Sequence, residues 1–214
     1  MSGGIYSRYF KRIFDFSFAL LLLLITSPIL IISAIAIKLE SKGPALFKQR
    51  RIGKNNQEFL IYKFRTMTVE TEREGKKLSD SERLTKVGKF LRKTSLDEIP
   101  QCINILKGEM SFIGPRPLPV IYLPYYTEEE LKRHEVRPGI SGLAQVNGRN
   151  TLQWEDRFKY DIEYINNISI GMDIKILIMT LQKVFKRENI QLRGTTNIKD
   201  FHAYRQEQRE GGFN

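Results

Sequence analysis

The feature that most constrains the fold is an N-terminal segment, "IFDFSFALLLLLITSPILIISAIAIKLE", which is apolar over most of residues 13–37. About 25 apolar residues are enough to cross a bilayer as a straight helix. Pro28 lies near the middle, where its missing N–H and its ring kink a helix, and the Ser27 hydroxyl can bond a carbonyl that is freed. Each arm then has only about 10–13 residues, or roughly 15–20 Å, and is too short to span alone.

Basic residues flank the apolar segment on both sides, namely Arg8, Lys11 and Arg12 before it and Lys38 and Lys42 after it. A spanning helix is expected to show basic asymmetry, whereas a helix that enters and returns keeps both flanks on the cytoplasmic side. The segment therefore predicts a re-entrant helix-break-helix, with Ser27 and Pro28 at its deepest point. A simple span is one alternative. A signal peptide cleaved after residues 34–36 is another.

The charge and the cysteine content limit the partners and the compartment. The formal net charge is +11, from 35 Lys+Arg and 24 Asp+Glu in 214 residues. A surplus of this size predicts a polyanionic partner, such as nucleic acid, anionic lipid headgroups or phosphorylated small molecules. Cys102 is the only cysteine and there are two histidines, which excludes an intramolecular disulfide and leaves little material for a zinc site. We expect a reducing, cytoplasm-facing location.

The chain after the apolar segment predicts an α+β fold, in which a mainly helical domain carries one short β-hairpin. Strands are expected over residues 46–52 and 59–67, around a polar turn. Residues 68–85 are polar and charged, which is typical of a long mobile loop. We divide the chain into residues 1–42, the re-entrant helix; residues 43–190, the main domain with membrane-surface helices; and residues 191–214, a tail expected to be disordered from Gln206 onward.

Two later segments have apolar residues at helical spacing. The stripes consist of Trp154, Phe158, Ile162 and Ile165 in the first segment and Ile174, Leu177, Ile178, Leu181 and Val184 in the second. Such stripes are more often core than membrane contact. The second helix also carries lysines on its opposite face, so a membrane surface, the core and a homodimer interface stay open for it.

The adjacent acids Asp97 and Glu98 lie in "KTSLDEIPQCINILKGEMSFIGPRPLP". Ser95 and Glu98 fit a capping box, and acids in a first turn complement the helix dipole, so the pair can be a cap alone. Neighbouring helix residues point about 100° apart, which also suits two tasks. One carboxylate can attack phosphorus while the other holds a divalent metal. A helix N-terminus would keep the nucleophile ionised.

Arginines accompany the acid pair along the sequence. Arg116 stands between Pro115 and Pro117, which fix the backbone and aim a bidentate phosphate donor. Arg92 comes shortly before the acids, and Arg149 lies in a Gly/Asn-rich loop. Each arginine alone can be a solvated surface charge. Around two acids, they would offset the charge of a pyrophosphate donor.

Four stretches together resemble the bacterial monotopic phosphoglycosyl transferases, the polyprenyl-phosphate sugar-1-phosphate transferases. These stretches are "KRIFDFSFALLLLLITSP", "IYKFRTM", "TSLDEIPQCINILKGEMSFIGPRPL" and "RPGISGLAQVNGRN". The resemblance runs from about Arg8 to Lys186, with the motifs in the expected order. The chain is most similar to the small transferases that begin N-linked glycan or surface-polysaccharide assembly, with the diacetylbacillosamine-1-phosphate transferases as the best single match.

The resemblance implies a ping-pong reaction at the cytoplasmic face of the bacterial inner membrane. In that pattern Asp97 attacks the sugar-proximal phosphate of a UDP-sugar, UMP leaves, and undecaprenyl phosphate takes the phosphosugar from the aspartyl intermediate. Glu98 would bind Mg²⁺, which bridges the diphosphate. Arg116 would lie at the uridine or phosphate end, and Arg92 and Arg149 would clamp phosphate.

The resemblance also implies a monotopic protein, whose re-entrant helix and break match Lys11, Arg12, Ser27 and Pro28. The expected partners are a UDP-sugar, undecaprenyl phosphate and an anionic bilayer, without nucleic acid. Three alternatives remain: transfer of another sugar, such as N-acetylgalactosamine or glucose phosphate; a hydrolase with water as acceptor; and a non-enzymatic, membrane-bound module that binds nucleic acid or lipid. The last leaves the acid pair and the Pro-Arg-Pro turn unexplained.

Overall fold

The structure is a computed structural model that describes residues 4–73, 75–148, 152–185 and 199–211. Its helices are α1 (Lys11–Glu40), α2 (Asp80–Arg83), α3 (Lys86–Thr94), α4 (Cys102–Lys107), α5 (Glu128–Leu131), α6 (Leu143–Asn147), α7 (Trp154–Asn166), α8 (Ile170–Phe185) and α9 (Phe201–Gly211). Its strands are β1 (Leu46–Ile52), β2 (Glu58–Phe64), β3 (Glu72–Arg73), β4 (Lys76–Lys77), β5 (Ser111–Ile113) and β6 (Gly139–Ser141). Helices with the strands in small two-stranded sheets confirm the α+β class.

Helix α1 continues without interruption through Pro28. The Ser27 hydroxyl donates to the Leu24 carbonyl at 2.8 Å, and this is the carbonyl that the N–H of residue 28 would reach in an α-helix. The predicted bond from Ser27 is therefore confirmed. The predicted break at Ser27 and Pro28 is wrong, because the helix runs on through both residues and the hydroxyl satisfies the carbonyl that proline leaves free. The re-entrant topology stays a prediction.

The N-terminal end of α1 is fastened to the main domain by charged side chains. Arg12 caps the end of α4 by donating to the carbonyls of Ile105 and Leu106, at 2.5 and 3.0 Å. Lys11 forms an ion pair with Asp173 of α8 at 2.5 Å. Lys11 and Arg12 thus bind protein groups in addition to flanking the apolar segment.

The C-terminal end of α1 is fastened to the same domain. The Glu40 carboxylate accepts hydrogen bonds from the N–H groups of Lys86 and Val87, at 2.7 and 3.0 Å, and so caps the start of α3. Arg65, just after β2, donates to the carbonyls of Ser41 and Lys42 at 2.8 and 2.5 Å. Both ends of this 30-residue helix therefore lie against one domain.

The side of α1 that faces away from the domain is apolar and exposed. Of the residues that the structure describes, 6–40 form the one helix long and apolar enough to cross a membrane, with a mean hydropathy of 2.8 in its most apolar window. Only 11% of that window is buried. The buried residues, Ala19 and Ile37 among them, recur along the side that packs on the domain. The exposed side therefore needs an apolar environment.

Strands β1 and β2 form the predicted antiparallel hairpin, paired from Leu46 opposite Phe64 to Ile52 opposite Glu58. The second strand ends at Phe64 instead of residue 67, because the chain then pairs with the segment before α3: the Thr66 carbonyl accepts from Thr85 N–H at 3.1 Å. The expected loop over residues 68–85 contains the short hairpin β3–β4 and α2.

Parallel strands β5 and β6 bring the Pro-Arg-Pro turn against the "RPGIS" segment. Gly114 N–H donates to the Ser141 carbonyl and Gly139 N–H donates to the Pro115 carbonyl, both at 2.9 Å. A Cβ atom on Gly139 would lie 2.2 Å from the Gly114 nitrogen. The two backbones therefore approach at a distance that only glycine permits, and the turn has a fixed position.

The apolar stripes on α7 and α8 differ in burial. On α7, Trp154, Phe158 and Ile165 are buried, which confirms a core role. On α8, the stripe residues Ile174, Leu177, Ile178 and Leu181 are 40–50% exposed, so the core is ruled out among the three roles left open for this stripe. Helix α8 packs on the domain through the adjacent face that carries Asp173 and Ile176, and the stripe points outward.

The prediction of a disordered tail from Gln206 onward is also wrong, because residues 201–211 form α9. Phe201 is fully buried in an aromatic cluster with Tyr122, Tyr126, Trp154 and Phe158. Arg205 makes an ion pair with Glu130. One deeply inserted aromatic side chain anchors the helix, so its mostly polar composition was misleading.

Candidate active site

Asp97 and Glu98 lie on a 3₁₀-helix, Leu96–Gln101, which follows α3 directly. Ser95 stands between the two helices with φ 57° and ψ 15°, a left-handed conformation uncommon for a residue other than glycine. Its N–H donates to the Arg92 carbonyl at 3.3 Å and its carbonyl accepts from Glu98 N–H at 3.2 Å. The predicted capping box is wrong: within the described residues the Ser95 side chain makes no cap bond, and its backbone turns the chain instead.

Glu98 is bound by cations from two other elements. Its Oε1 lies 2.5 Å from Lys63 Nζ of β2 and 3.6 Å from Arg116 Nη2. Burial lowers the pKa of Lys63, while the negative charge of Glu98 acts in the opposite direction. The acid pair and the Pro-Arg-Pro turn, separate in sequence, thus meet at one carboxylate.

Lys63 is a site residue that the sequence interpretation missed. It lies in "IYKFRTM", within the second of the two predicted strands. Residues two apart in a strand share a face, and Lys63 follows the buried Phe59 and Ile61 at that spacing. A lysine on the buried face of a strand is rare unless it is paired, so this alternation was the available signal.

Asp97 is mostly buried, and its environment makes the charged form less favourable than in water. Burial raises the pKa of Asp97 to about 6, the charge of Glu98 adds to the increase, and Lys63 and Arg92 oppose it. The expected effect of a helix N-terminus is therefore outweighed by burial. With a pKa about one unit below neutrality, the carboxylate is still mainly ionised at pH 7.

Arg92 is directed towards the acid pair by the contact between α3 and the residues after β2. Its Nε donates to Thr66 Oγ1 at 2.9 Å. Gly88, one turn earlier in α3, packs so closely that a Cβ atom there would lie 2.0 Å from the Thr66 carbonyl oxygen. The position of Arg92 therefore depends on a glycine in the helix interior.

The Pro-Arg-Pro turn is rigid in its backbone and open at its side chain. Pro115 and Pro117 are buried, whereas the Arg116 side chain is 49% exposed. The Arg116 carbonyl accepts from Arg133 Nη2 at 2.9 Å, and Arg133 is paired with Asp161 at 2.8 Å in the interior. The sequence interpretation missed this buried ion pair, which holds the backbone of the turn in place through the Arg116 carbonyl.

A shallow depression opens beside Glu98. We call it the basic depression; it is lined by Arg51, Ile61, Lys63, Gln101, Arg116 and Pro117. Its three cations would attract an anion. Arg149, the third predicted phosphate ligand, lies outside the described residues.

The acid pair suits a divalent metal of the magnesium type. Within the described residues, no group of three or more His, Cys, Asp or Glu side chains could hold a metal ion. Mg²⁺ is usually bound by one or two carboxylates, with waters and substrate phosphates completing its shell. Glu98 supplies one such carboxylate, and it would have to exchange its contact with Lys63 for the ion.

Comparison with known proteins agrees with this geometry. The protein family described as "Bacterial sugar transferase" matches residues 6–187. An uncharacterized sugar transferase, EpsL, of Bacillus subtilis (strain 168) is 49% identical over 181 residues, which cover 85% of this chain and 90% of EpsL.

Two longer relatives have names that state an activity. A UDP-glucose:undecaprenyl-phosphate glucose-1-phosphate transferase of Klebsiella pneumoniae is 45% identical over 187 residues, covering 82% of this chain and 40% of the relative. A UDP-N-acetylgalactosamine-undecaprenyl-phosphate N-acetylgalactosaminephosphotransferase of Aeromonas hydrophila is 40% identical over 184 residues, covering 82% and 44%. The chain thus spans less than half the length of these two relatives. Since the family match covers most of the chain, including the acid pair and the Pro-Arg-Pro turn, the protein belongs to the bacterial sugar transferase family.

Proposed function

We propose that this chain transfers a sugar 1-phosphate from a UDP-sugar to undecaprenyl phosphate, which yields undecaprenyl-diphosphate-sugar and UMP. The observation that carries the proposal is the mostly buried Asp97 next to the cluster of Glu98, Lys63 and Arg116. The names of the two longer relatives support both the donor class and the lipid acceptor.

Asp97 is the proposed nucleophile of a two-step, ping-pong reaction. A carboxylate oxygen of Asp97 attacks the phosphorus that carries the sugar, and the bond from this phosphorus to the bridging oxygen of UMP breaks. In the second step a phosphate oxygen of undecaprenyl phosphate attacks the same phosphorus, and the bond to Asp97 breaks. A carboxylate with a pKa of about 6 is ionised at neutral pH, and it is also a good leaving group in the second step.

The surrounding cations offset the charge of the diphosphate. Arg116 is half exposed at the edge of the site and is the proposed ligand for the phosphate or uridine end of the donor. Arg92 and Lys63, whose charges act on Asp97, face the reacting phosphate. Arg149 is proposed as a further phosphate ligand from the resemblance alone. Mg²⁺ held by Glu98, when bound, would neutralise phosphate charge and polarise the phosphoryl oxygens.

We propose that α1 is re-entrant and that the protein is monotopic, at the cytoplasmic face of the bacterial inner membrane. Arg12 and Glu40, near opposite ends of α1, both bind the same polar domain. A straight span would separate these two contacts by the thickness of the bilayer. The exposed apolar sides of α1 and α8 would face an anionic bilayer, with the basic surplus on the membrane surface.

The sugar is proposed only as a class, a hexose or an N-acetylhexosamine. Glucose and N-acetylgalactosamine occur in the names of the relatives above, and the sequence motifs resemble the diacetylbacillosamine transferases. A panel of these UDP-sugars would identify the preferred one.

The test is release of UMP by detergent-solubilised protein with Mg²⁺, undecaprenyl phosphate and the panel. We expect UMP with at least one UDP-sugar and none above background in Asp97→Asn. Asp156→Asn, an exposed acid on α7, is the matched control and should keep wild-type activity. UMP at wild-type rate from Asp97→Asn would refute the assignment of the nucleophile, and no UMP from any sugar would refute the reaction.

A further inference from the structure

Gln101 has an unusual environment at the edge of the candidate site. The residue is 2% exposed, and its side-chain amide nitrogen is buried without a hydrogen-bond partner within the described residues. Buried amide groups are normally paired, and an unpaired one costs about 1–3 kcal/mol. Gln101 is also part of the wall of the basic depression. A buried donor without a partner, in the wall of a basic depression, indicates a group that acts on a ligand.

The local helix type places Gln101 in line with Glu98. A 3₁₀-helix has three residues per turn, so residues i and i+3 lie one above the other, about 6 Å apart along the axis. Glu98 and Gln101 have this spacing on the 3₁₀-helix Leu96–Gln101. Lys63, which is hydrogen-bonded to Glu98, lines the same depression. Gln101 therefore extends the cluster of Glu98 and Lys63 by one turn.

The other wall residues restrict the chemistry of the ligand. Arg51, Lys63 and Arg116 attract an anion, whereas an amide N–H can donate to a phosphate, a ribose or a carbonyl oxygen. Ile61 and Pro117 add an apolar surface. A nucleoside monophosphate combines an anion, oxygen acceptors and a planar apolar base, which are the chemical groups that these wall residues would recognise.

The position relative to Asp97 favours the donor over the lipid acceptor. In a 3₁₀-helix adjacent residues point about 120° apart, so Asp97 does not share the face of Glu98 and Gln101. Only the phosphorus under attack must lie at Asp97. The donor is a diphosphate, so its nucleoside monophosphate part can extend from Asp97 over the face that carries Glu98 and Gln101. The acceptor reacts through a single terminal phosphate and has no nucleotide to place on that face.

We propose that Gln101 is a donor-binding residue, whose amide donates a hydrogen bond to an oxygen of the nucleoside monophosphate half of the nucleotide sugar. The inference rests on the proposed function. It adds to that function a residue which would contribute to recognition of the leaving nucleotide.

The test combines nucleotide affinity with stability in Gln101→Leu of the full chain in detergent. Binding of UMP in the presence of Mg²⁺ should weaken at least about fivefold, because a hydrogen bond to the ligand is lost. The KM for the UDP-sugar should rise while that for undecaprenyl phosphate stays the same. The Tm should stay the same or rise, since leucine removes an unpaired polar group. Gln101→Glu, which replaces the donor by an anion, should weaken UMP binding at least as much.

Gln57→Leu, an exposed residue in the β1–β2 turn, is the matched control and should leave the UMP affinity unchanged. A lower Tm with unchanged UMP affinity in Gln101→Leu would mean that Gln101 is structural and would overturn the proposal. A higher KM for undecaprenyl phosphate alone would assign Gln101 to the acceptor and would also overturn it. If the wild type releases UMP and Gln101→Leu has the same UMP affinity and the same KM for the UDP-sugar, only this inference fails. If the wild type releases none, the proposed function fails first.

Discussion

At the scale of single residues, Lys63 acts on both members of the acid pair, since it binds Glu98 at 2.5 Å and carries charge next to Asp97. Replacing Lys63 by methionine keeps the length of the side chain and removes its charge. Loss of one charge-assisted hydrogen bond costs about 1.5–3 kcal/mol, so we expect UMP release to fall about 10- to 100-fold. The measurement is the initial rate of UMP release at saturating substrates.

The control for Lys63 is Lys48→Met on the neighbouring strand. Lys48 is exposed and lies over the ring of Tyr62, 5.6 Å from its centroid. Its loss should change the rate of UMP release less than about twofold. An exposed cation on an aromatic ring contributes only about 0.5–1 kcal/mol, and here this energy stabilises the fold and not the reaction. Equal losses in the two variants would mean that general surface charge matters, and not the pair with Glu98.

His134 couples stability to pH. It is buried, its Nδ1 lies 2.7 Å from Asn56 Oδ1, and burial with the adjacent Arg133 lowers its pKa to about 3. The unfolded chain binds a proton at this histidine below about pH 6.5, whereas the folded chain does not until about pH 3. The contribution of His134 to the free energy of unfolding is thus fully present above pH 6.5 and decreases as the pH falls. At pH 5 about 2 kcal/mol has been lost.

The comparison that tests this coupling is wild type against His134→Gln. Chemical denaturation at pH 7 and at pH 5 gives the free energy of unfolding of each. The wild type should lose about 2 kcal/mol more than the variant over this interval. Parallel losses would show that His134 does not stay neutral in the folded protein.

Some site residues could be predicted from the sequence and others could not, for a physical reason. Asp97 with Glu98, and Arg116 between two prolines, carry their signal in adjacent residues. Lys63 and Asp161 owe their roles to contacts with residues distant in the chain, Glu98 and Arg133. The conformation of Ser95 depends likewise on the junction of two helices, which a capping motif does not encode.

At the scale of elements, the contact between α3 and the residues after β2 determines where Arg92 lies. A methyl group at Gly88 would lie 2.0 Å from the Thr66 carbonyl oxygen, so Gly88→Ala must push α3 away. Overpacking of this kind costs about 1–3 kcal/mol. We expect a lower Tm and a reduced rate of UMP release, since Arg92 moves with the helix.

Gly171→Ala provides the matched control in another helix. Within the described residues, a Cβ atom at Gly171 meets nothing within 4 Å, and alanine is favoured over glycine in a helix by up to about 1 kcal/mol. The Tm should therefore stay the same or rise, with normal activity. A stabilising effect of Gly88→Ala would contradict the close packing of α3 on Thr66.

The elements also show where periodicity is informative. The stripe on α7 is core, as predicted, but an equally regular stripe on α8 is exposed. Periodicity identifies an apolar face without saying what covers it. Helix α9 was missed for the converse reason: its attachment depends on Phe201 and on ion pairs such as that of Arg205 with Glu130, and its composition is mostly polar.

At the scale of the whole molecule, α1 and the domain act as one unit, because Arg12 and Glu40 attach the two ends of the helix. If α1 is re-entrant, cysteines at Gly4 and at Lys42 will be labelled by an impermeant thiol reagent from the cytoplasmic side only. Cys102 is buried and serves as the unlabelled background. Labelling of the two positions from opposite sides would show that the helix spans the bilayer.

The central claim is that Asp97 carries the phosphosugar between donor and acceptor. The most direct measurement is intact-protein mass spectrometry after incubation with Mg²⁺ and the preferred UDP-sugar, without undecaprenyl phosphate. We predict a mass increase of one sugar phosphate that maps to Asp97, matched by one equivalent of UMP, and lost when undecaprenyl phosphate is added. UMP formed only when the acceptor is present, with no adduct on the protein, would contradict a covalent intermediate and would indicate direct transfer.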